Sequence, residues 1–144
     1  MKAWGAEDRS IFWRIAEIVG RAARDQPDEA YVAVGHLLLN RIGGDWVSPP
    51  APEACDPRHG LLADAECELG IAAQSPGFCE QAAEFPGERD RDSLLHALSV
   101  LARICAGEIE DPTGGAARCH RHDETPRWAE GETPRALIGH WFFY

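Results

Sequence analysis

A hexapeptide near the end of the chain, 111–116, has the sequence Asp-Pro-Thr-Gly-Gly-Ala and is suited to holding a ligand against backbone N–H groups. Asp-Pro, Thr and paired glycines are typical of a tight turn in which such groups can face outward. Gly114 and Gly115 can adopt positive φ and leave room for a ligand close to the backbone. His120 and Trp128 follow closely and offer hydrogen bonding and stacking. The alternative is a turn that only connects a helix to a hairpin.

The segment 111–144 resembles the C-terminal part of the SleB/CwlJ type of bacterial cell-wall hydrolase. That family carries the same hexapeptide, then an aromatic/His pair, then Pro-x-Trp and finally Ile-Gly-x-His-x-Phe-Tyr. The segment 24–41 resembles a second run of the family, Glu-Ala-Arg-Gly-Glu-Pro-x-Glu-Gly-x-x-Ala-Val followed by Asn-Arg. The matching residues are His120, Pro126-Arg127-Trp128, Ile138-Gly139 and Phe143-Tyr144 in the first segment, and Arg24, Pro27, Glu29, Val32-Ala33-Val34 and Asn40-Arg41 in the second.

The resemblance implies a fold, an activity and a binding partner. The fold would be α+β and mainly α, a single compact lysozyme-like domain over residues 1–144 with a small β element near the C-terminus. The activity would be that of a glycosidase or lytic transglycosylase that cleaves the glycan strands of peptidoglycan and needs no cofactor. We expect the two matching segments to meet, so that Arg24 and Glu29 line one groove with the hexapeptide and His120.

Cleavage of a glycosidic bond needs a proton donor, and the family's donor is missing from this chain. A carboxyl group can donate near neutral pH only when burial raises its pKa, so it belongs on an apolar surface. The family is understood to place one Glu at the end of the first helix, and a gapless match puts that position at Ala22. A shift of one residue puts it at Arg21. Glu17 lies about 140° around the helix from Ala22 and is predicted to point elsewhere.

Two carboxylates at matching positions remain as candidate catalytic residues, Glu29 and Asp111. Each has a structural alternative, since Glu29 can stabilise the N-terminus of a helix and an Asp before Pro can organise its own turn. The resemblance assigns substrate binding to Arg24, Thr113, Gly114, Gly115, His120 and Trp128. The indole of Trp128 can stack on a sugar ring or be buried in the core.

Two functions therefore stay open at the level of the sequence. The first is a peptidoglycan-directed cell-wall hydrolase in which another residue replaces the missing Glu. The second is a catalytically inactive descendant that serves as a peptidoglycan-binding or structural module. The loss of the acid at Ala22 favours the second function, whereas the intact hexapeptide favours a groove that is still in use.

The composition excludes several partners. The chain has 144 residues and a formal net charge of −10, which argues against nucleic acid or an anionic membrane as a bulk partner. We find no basic and apolar leader and no apolar run of about 20 residues. We therefore expect a protein without a membrane span that is cytoplasmic as synthesised and needs a separate exit route to reach the wall. The sequence identifies no protein partner.

The cysteine and histidine residues predict no metal site. Five cysteines without Cys-x-x-Cys pairing indicate reduced thiols, although Cys67 and Cys79 could pair in an exported protein. The run 119–123, Cys-His-Arg-His-Asp, contains residue types that bind zinc. No second pair of ligands lies at a suitable spacing, so we predict no metal.

The elements that must position these residues are predicted mainly as helices. Apolar residues recur at the 3.6-residue period on one face of several segments. Helices are predicted from the cap Ser10 to about Arg24, from Pro27 to Gly43-Gly44, weakly over Leu61–Ala73, and from Asp90 or Asp92 to Gly107. The segments 45–60, 75–87 and 117–136 are predicted to be irregular, and 138–144 is predicted to be a strand.

Overall fold

The computed structural model describes residues 6–43, 57–71 and 88–144. In this part of the chain four α-helices precede a three-stranded antiparallel sheet, so the predicted fold class, mainly α with a small C-terminal β element, is confirmed. The helices are α1 (Ala6–Ala22), α2 (Asp28–Ile42), α3 (Pro57–Leu69) and α4 (Glu88–Cys105), the strands are β1 (Cys119–Arg121), β2 (Ala136–Ile138) and β3 (Trp141–Phe143), and a 3₁₀ helix covers Arg127–Ala129. That the chain forms one domain stays a prediction.

Helix α1 buries the apolar face that its sequence predicts. Ile11, Ile15 and Ile18 are buried in the core. The helix packs most extensively against α4. At Gly20 the two backbones approach closely, since a Cβ there would lie 3.3 Å from backbone atoms of Leu94. An alanine at this position would therefore require the facing backbone to move by a few tenths of an ångström.

Helix α2 begins and ends where its sequence predicts. Pro27 is the N-cap residue, with a φ of −59° that suits the proline ring. Gly43 ends the helix with a φ of 74°, a conformation that favours glycine. Between these ends α2 contacts α1, α3 and α4 and supplies much of the core. Its buried residues are Ala30, Tyr31, Ala33, Val34, Gly35, Leu37, Leu38 and Ile42.

The predicted starts of two helices are wrong. Helix α1 begins at Ala6, so Ser10 lies inside it rather than at its cap. Helix α4 begins at Glu88, so Asp90 and Asp92 also lie inside it. Polar residues that suit a cap are equally tolerated on the outer face of the first turns, and a sequence pattern does not separate the two cases.

Two segments predicted to be irregular contain regular structure. Residues 57–60 are the first turn of α3, while 45–56 and 75–87 lie outside the described residues. The segment 117–136 contains β1 and the 3₁₀ helix. Strands of three residues carry almost no periodic signal, so they are recognised only from their partners.

The predicted strand over 138–144 is divided by a tight turn at Gly139, where φ is 59°. Strands β2 and β3 flank this turn and pair antiparallel. Strand β1 pairs with the other edge of β3, so β3 is the central strand and His120 lies opposite Phe142. This register brings residues from three segments onto one small sheet.

A buried carboxylate joins α1 to α3. Glu66 is 1% exposed and accepts hydrogen bonds from Arg14 Nη2 at 2.9 Å and from Arg21 Nη1 at 3.1 Å. Both arginines lie on one side of α1, because they are seven residues apart. Charges taken out of water must be paired in this way, so the cluster fixes how α3 lies against α1.

Candidate functional site

The hexapeptide 111–116 forms a turn that Asp111 holds from inside. Its Oδ1 accepts hydrogen bonds from Thr113 N at 2.8 Å and Thr113 Oγ1 at 2.6 Å. Its Oδ2 accepts from Gly115 N and from Asn40 Nδ2, both at 2.9 Å. Partial burial opposes ionisation, but the hydrogen bonds prevail and lower the pKa of Asp111. Asp111 is therefore an ionised structural acceptor near neutral pH.

The backbone N–H groups of this turn donate inward. Those of Thr113 and Gly115 bind the Asp111 carboxylate, and that of Ala116 binds Thr113 Oγ1 at 3.2 Å. The expectation that they face outward to a ligand is wrong, because the Asp side chain uses them first. Gly114 and Gly115 have φ of 66° and 89° and are exposed, so glycine is required here by the backbone.

The two matching segments meet at both ends of α2. At its C-terminal end, Asn40 Nδ2 donates to Asp111 and, at 3.0 Å, to the carbonyl oxygen of Ala116. At its N-terminal end, the turn between β2 and β3 lies against Gln26, and a Cβ added to Gly139 would collide with the Gln26 side chain. The segment 111–144 therefore contacts both ends of α2, through the hexapeptide at one end and the turn between β2 and β3 at the other.

The expected groove that joins Glu29 to the hexapeptide is not a single cluster. Glu29 is in the first turn of α2 and Asn40 is in its last turn, so these ends are about 16 Å apart along the helix axis. Arg24 and Glu29 are both exposed at the end away from the hexapeptide. His120 belongs to β1 and pairs with Phe142, the middle residue of β3.

An aromatic cluster, consisting of His120, Trp128, Phe142 and Tyr144, lies on the sheet. The centroid of the His120 ring is 5.3 Å from that of Tyr144, 5.6 Å from Phe142 and 5.8 Å from Trp128. The Trp128 ring also meets Tyr144 edge-on, with centroids 5.2 Å apart. His120 is buried and Trp128 is half-buried, so the cluster has an inner and an outer part. It brings His120 and Trp128 into contact with Phe142 and Tyr144, the residues at the end of the matching segment 111–144.

Both ring nitrogens of His120 are hydrogen-bonded. Nδ1 lies 2.7 Å from the carbonyl oxygen of Arg121, and Nε2 lies 2.8 Å from the hydroxyl oxygen of Tyr144. The Tyr144 backbone is fixed as well, since its N–H donates to Arg118 O at 2.9 Å and its carbonyl oxygen accepts from Ala117 N at 3.1 Å. The imidazole and phenol therefore have one well-defined relative position.

A second carboxylate, that of Glu68, holds the residues that support the aromatic cluster. Glu68 accepts hydrogen bonds from Arg41 Nη1 at 2.7 Å, from Arg118 Nη2 at 3.1 Å and from Cys119 N at 3.1 Å. Burial opposes its ionisation, but these partners lower the pKa of Glu68. Arg118 in turn stacks on the Trp128 ring, 3.8 Å from the centroid. Glu68 thus connects α2, α3 and β1 to Trp128.

Ala22, the position that the resemblance assigns to the acid, lies on the buried face of α1 and is 7% exposed. Its carbonyl oxygen accepts a hydrogen bond from Gln26 Nε2 at 2.9 Å. The environment is apolar, as a proton-donating carboxyl would require, but the side chain is a methyl group. Glu29 and Asp111 do not reproduce this environment, because Glu29 is exposed and Asp111 is ionised.

Sequence reasoning passed over Glu17. Its Oε1 accepts a hydrogen bond from Trp13 Nε1 at 3.1 Å, and its Oε2 is buried without a hydrogen bond from the described residues. Burial raises the pKa of Glu17 to about 7, against the opposing effects of Trp13, Arg21 and Arg14. The predicted orientation away from the Ala22 face agrees with these neighbours. The sequence shows Trp13 one helical turn earlier as a hydrogen-bond donor, but no local pattern indicates the burial that raises this pKa.

No three Cys, His, Asp or Glu side chains in residues 6–43, 57–71 and 88–144 are arranged to hold a metal ion. No helix of these ranges is long and apolar enough to cross a membrane. Cys67 is an exposed free thiol and Cys119 is a buried one. Cys79, the suggested partner of Cys67, lies outside the described residues.

Comparison with solved structures finds a similar fold in the crystal structure of the catalytic domain of the Bacillus cereus SleB protein. The match covers 99% of this chain and 93% of that chain, with a TM-score of 0.51 and 19% sequence identity. Neither a scan against protein-family models nor a search of curated proteins found a match. The likeness therefore shows a shared fold.

Proposed function

We propose that this protein acts on the glycan strands of bacterial peptidoglycan, with a glycosidase or lytic-transglycosylase reaction. The observation that carries the proposal is the likeness to the SleB catalytic domain over 99% of the chain. The two sequence segments that resemble the SleB/CwlJ hydrolases add to it, since 24–41 forms most of α2 and 111–144 contains the hexapeptide and the sheet, which contact that helix. Fold alone does not determine function, so the proposal also needs a suitable surface.

The surface that we propose for the glycan strand is the aromatic cluster with its supporting arginine. Sugar rings bind to proteins through stacking on aromatic faces and through hydrogen bonds from polar side chains. Trp128 and Tyr144 are half-buried, so each retains exposed surface. Arg118 occupies one face of the Trp128 ring and fixes its orientation. The hexapeptide, which binds Asn40 through Asp111, acts as a structural support for this surface.

The roles proposed from the resemblance differ in how well the geometry supports them. Trp128 fits substrate binding best, because it belongs to the aromatic cluster and is half-buried. His120 is buried, so its role is to hold Trp128 and Tyr144 in place. Thr113 is buried and serves the turn. Asp111 is ionised at neutral pH and does not suit a proton donor. Glu29 is exposed and has no apolar pocket around it, so a proton-donating role would need the substrate itself to exclude water.

A catalytically inactive peptidoglycan-binding module is the second candidate function. Ala22 favours it specifically, because an apolar position that suits a catalytic carboxyl holds a methyl group instead. Replacing a partly buried carboxyl by a methyl group stabilises a fold while removing its activity. Both candidate functions predict binding to the glycan strand, and they differ only in whether the strand is cleaved.

Co-sedimentation with insoluble peptidoglycan tests what the two functions share. The wild type is expected to sediment with the polymer at moderate salt, and Trp128→Ala is expected to weaken binding up to about tenfold through loss of stacking. Leu95→Ala is a matched control, because Leu95 is a large apolar residue that is 57% exposed on α4. Failure of the wild type to sediment above an unrelated acidic protein would overturn the proposal.

A further inference from the structure

The hydrogen bonds of His120 determine where its protons lie. The carbonyl oxygen of Arg121, 2.7 Å from Nδ1, can only accept a hydrogen bond, so Nδ1 carries a proton in every state. Nε2 can therefore be either protonated or unprotonated. In the neutral imidazole Nε2 accepts from the Tyr144 hydroxyl, and in the imidazolium it donates to the same oxygen, across the same 2.8 Å. The pair is therefore built so that a proton can pass in either direction.

Tyr144 gives this pair access to the exterior. His120 is 6% exposed, whereas Tyr144 is half-buried. Among the described residues the Tyr144 hydroxyl has one hydrogen-bond partner, His120, so its other hydrogen-bonding position is available. The phenol ring is stacked on His120 and touched edge-on by Trp128. A sugar bound beside Trp128 would reach the hydroxyl before it reached the imidazole.

We propose that Tyr144 is a catalytic residue of the glycan-cleaving reaction, with His120 as the group that supplies and receives its proton. The proposal rests on the function proposed above and goes beyond it, because it assigns an acid and base to a chain that has Ala22 in place of the Glu. The same pair performs both halves of a lytic-transglycosylase reaction. Both Tyr and His act as general acids and bases in enzymes.

In the first half the pair acts as an acid. The imidazolium donates from Nε2 to the Tyr144 oxygen, and the Tyr144 hydroxyl donates to the glycosidic oxygen. As the bond from the sugar C1 to that oxygen breaks, the electron pair goes to the oxygen and the Tyr144 proton follows it. The Nε2 proton moves to Tyr144 at the same time. The products are a free hydroxyl on the leaving strand, an oxocarbenium ion and a neutral His120.

In the second half the pair acts as a base. The 6-hydroxyl of the same sugar attacks C1 and closes an anhydro ring, and its proton passes to the Tyr144 oxygen. The proton that Tyr144 received from His120 in the first half returns to Nε2, which restores the imidazolium. No water, oxidant or second carboxylate is consumed, so the step balances within the substrate and the pair.

The test compares two single hydroxyl deletions in digests of purified sacculi. Tyr144→Phe keeps the ring contacts and removes the proton-transfer atom, so release of soluble anhydro fragments should fall about 100-fold or more. Tyr31→Phe is the matched control, because it removes a buried hydroxyl that binds Ser93 Oγ at 2.7 Å inside the helical core. It should leave the rate within a factor of about two. Co-sedimentation with peptidoglycan and thermal unfolding are measured for each variant.

A pH profile separates the proton-transfer role of His120 from a structural role. Release by the wild type should depend on pH, because the acid step needs a proton on His120 Nε2, whereas His120→Gln should have little activity at any pH. Activity of Tyr144→Phe within threefold of the wild type would overturn the proposal. A wild type that binds peptidoglycan but releases nothing would also overturn it while leaving the binding function in place. A wild type that does not bind would overturn the proposed function itself.

Discussion

Replacing Glu17 by Gln should stabilise the protein, and only above the pH at which an ordinary glutamate ionises. The folded state raises the pKa of Glu17 from 4.5 to about 7, mainly because burial disfavours the carboxylate. Between these values the folded chain retains a proton that the unfolded chain has released. The free energy of unfolding of the wild type therefore loses a contribution as the pH rises from 4.5 to 7. Because Gln cannot ionise, the Glu17→Gln variant keeps this contribution at every pH.

The magnitude follows from the same shift. A change of one pKa unit corresponds to about 1.4 kcal/mol, which sets an upper limit of about 3 kcal/mol for Glu17. Its side chain is only half-buried, and solvent screening reduces the effect, so we expect about 1–2 kcal/mol. The hydrogen bond from Trp13 Nε1 can be kept by the Gln amide oxygen, which leaves charge as the principal difference.

Urea denaturation of wild type and Glu17→Gln at pH 4.5, 6 and 8 measures this effect. The two should be equal near pH 4.5, and the variant should be more stable by about 1–2 kcal/mol at pH 8. Glu132→Gln is the control, since Glu132 is an exposed residue of the loop before β2, and it should show no such divergence. A variant that is less stable at pH 8, or a difference that does not depend on pH, would refute the reasoning.

Three further predictions concern packing and reactivity. Glu66→Ala removes the buried carboxylate that two arginines of α1 bind, and urea denaturation should show that the free energy of unfolding falls by about 3–5 kcal/mol. A fall of less than about 1 kcal/mol would contradict the burial of this cluster. Gly139→Ala should lower the free energy of unfolding by about 1–3 kcal/mol, because φ is 59° there. Gly60→Ala is the control: Gly60 lies in a helix with open space around it, so this change should leave the stability equal or raise it. A thiol reagent should modify the exposed Cys67 much faster than Cys119, since burial raises the pKa of the Cys119 thiol. Equal rates of modification would contradict this prediction and would show that β1 opens readily.

The helices could be predicted because their packing repeats a simple period. Ile11, Ile15 and Ile18 mark one face of α1 in the sequence, and that face is buried in the structure. Pro27 and Gly43 bound α2 because each has one strongly preferred backbone conformation. Features of this kind depend on residues close together in the chain, which is why a sequence pattern reveals them.

The aromatic cluster could be predicted only in part. His120 and Trp128 stand out in the sequence, but their contact with Tyr144 depends on the register of β1 against β3. Three-residue strands do not set such a register by themselves. The inward hydrogen bonds of Asp111 were foreseen as an alternative, whereas the raised pKa of Glu17 arises from tertiary burial that no local pattern encodes.

The central claim, that a peptidoglycan glycan strand docks on the aromatic cluster, is tested most directly by NMR of the tryptophan side chains. A soluble, peptide-free peptidoglycan oligosaccharide is titrated into ¹⁵N-labelled protein, with the indole signals assigned by single Trp→Phe variants. The Trp128 signal should shift in a saturable way. The Trp141 signal should stay in place, because its Nε1 donates to the carbonyl oxygen of Leu69 at 2.9 Å in the buried core. An unchanged Trp128 signal at saturating oligosaccharide, or a saturable shift confined to other tryptophans, would contradict the claim.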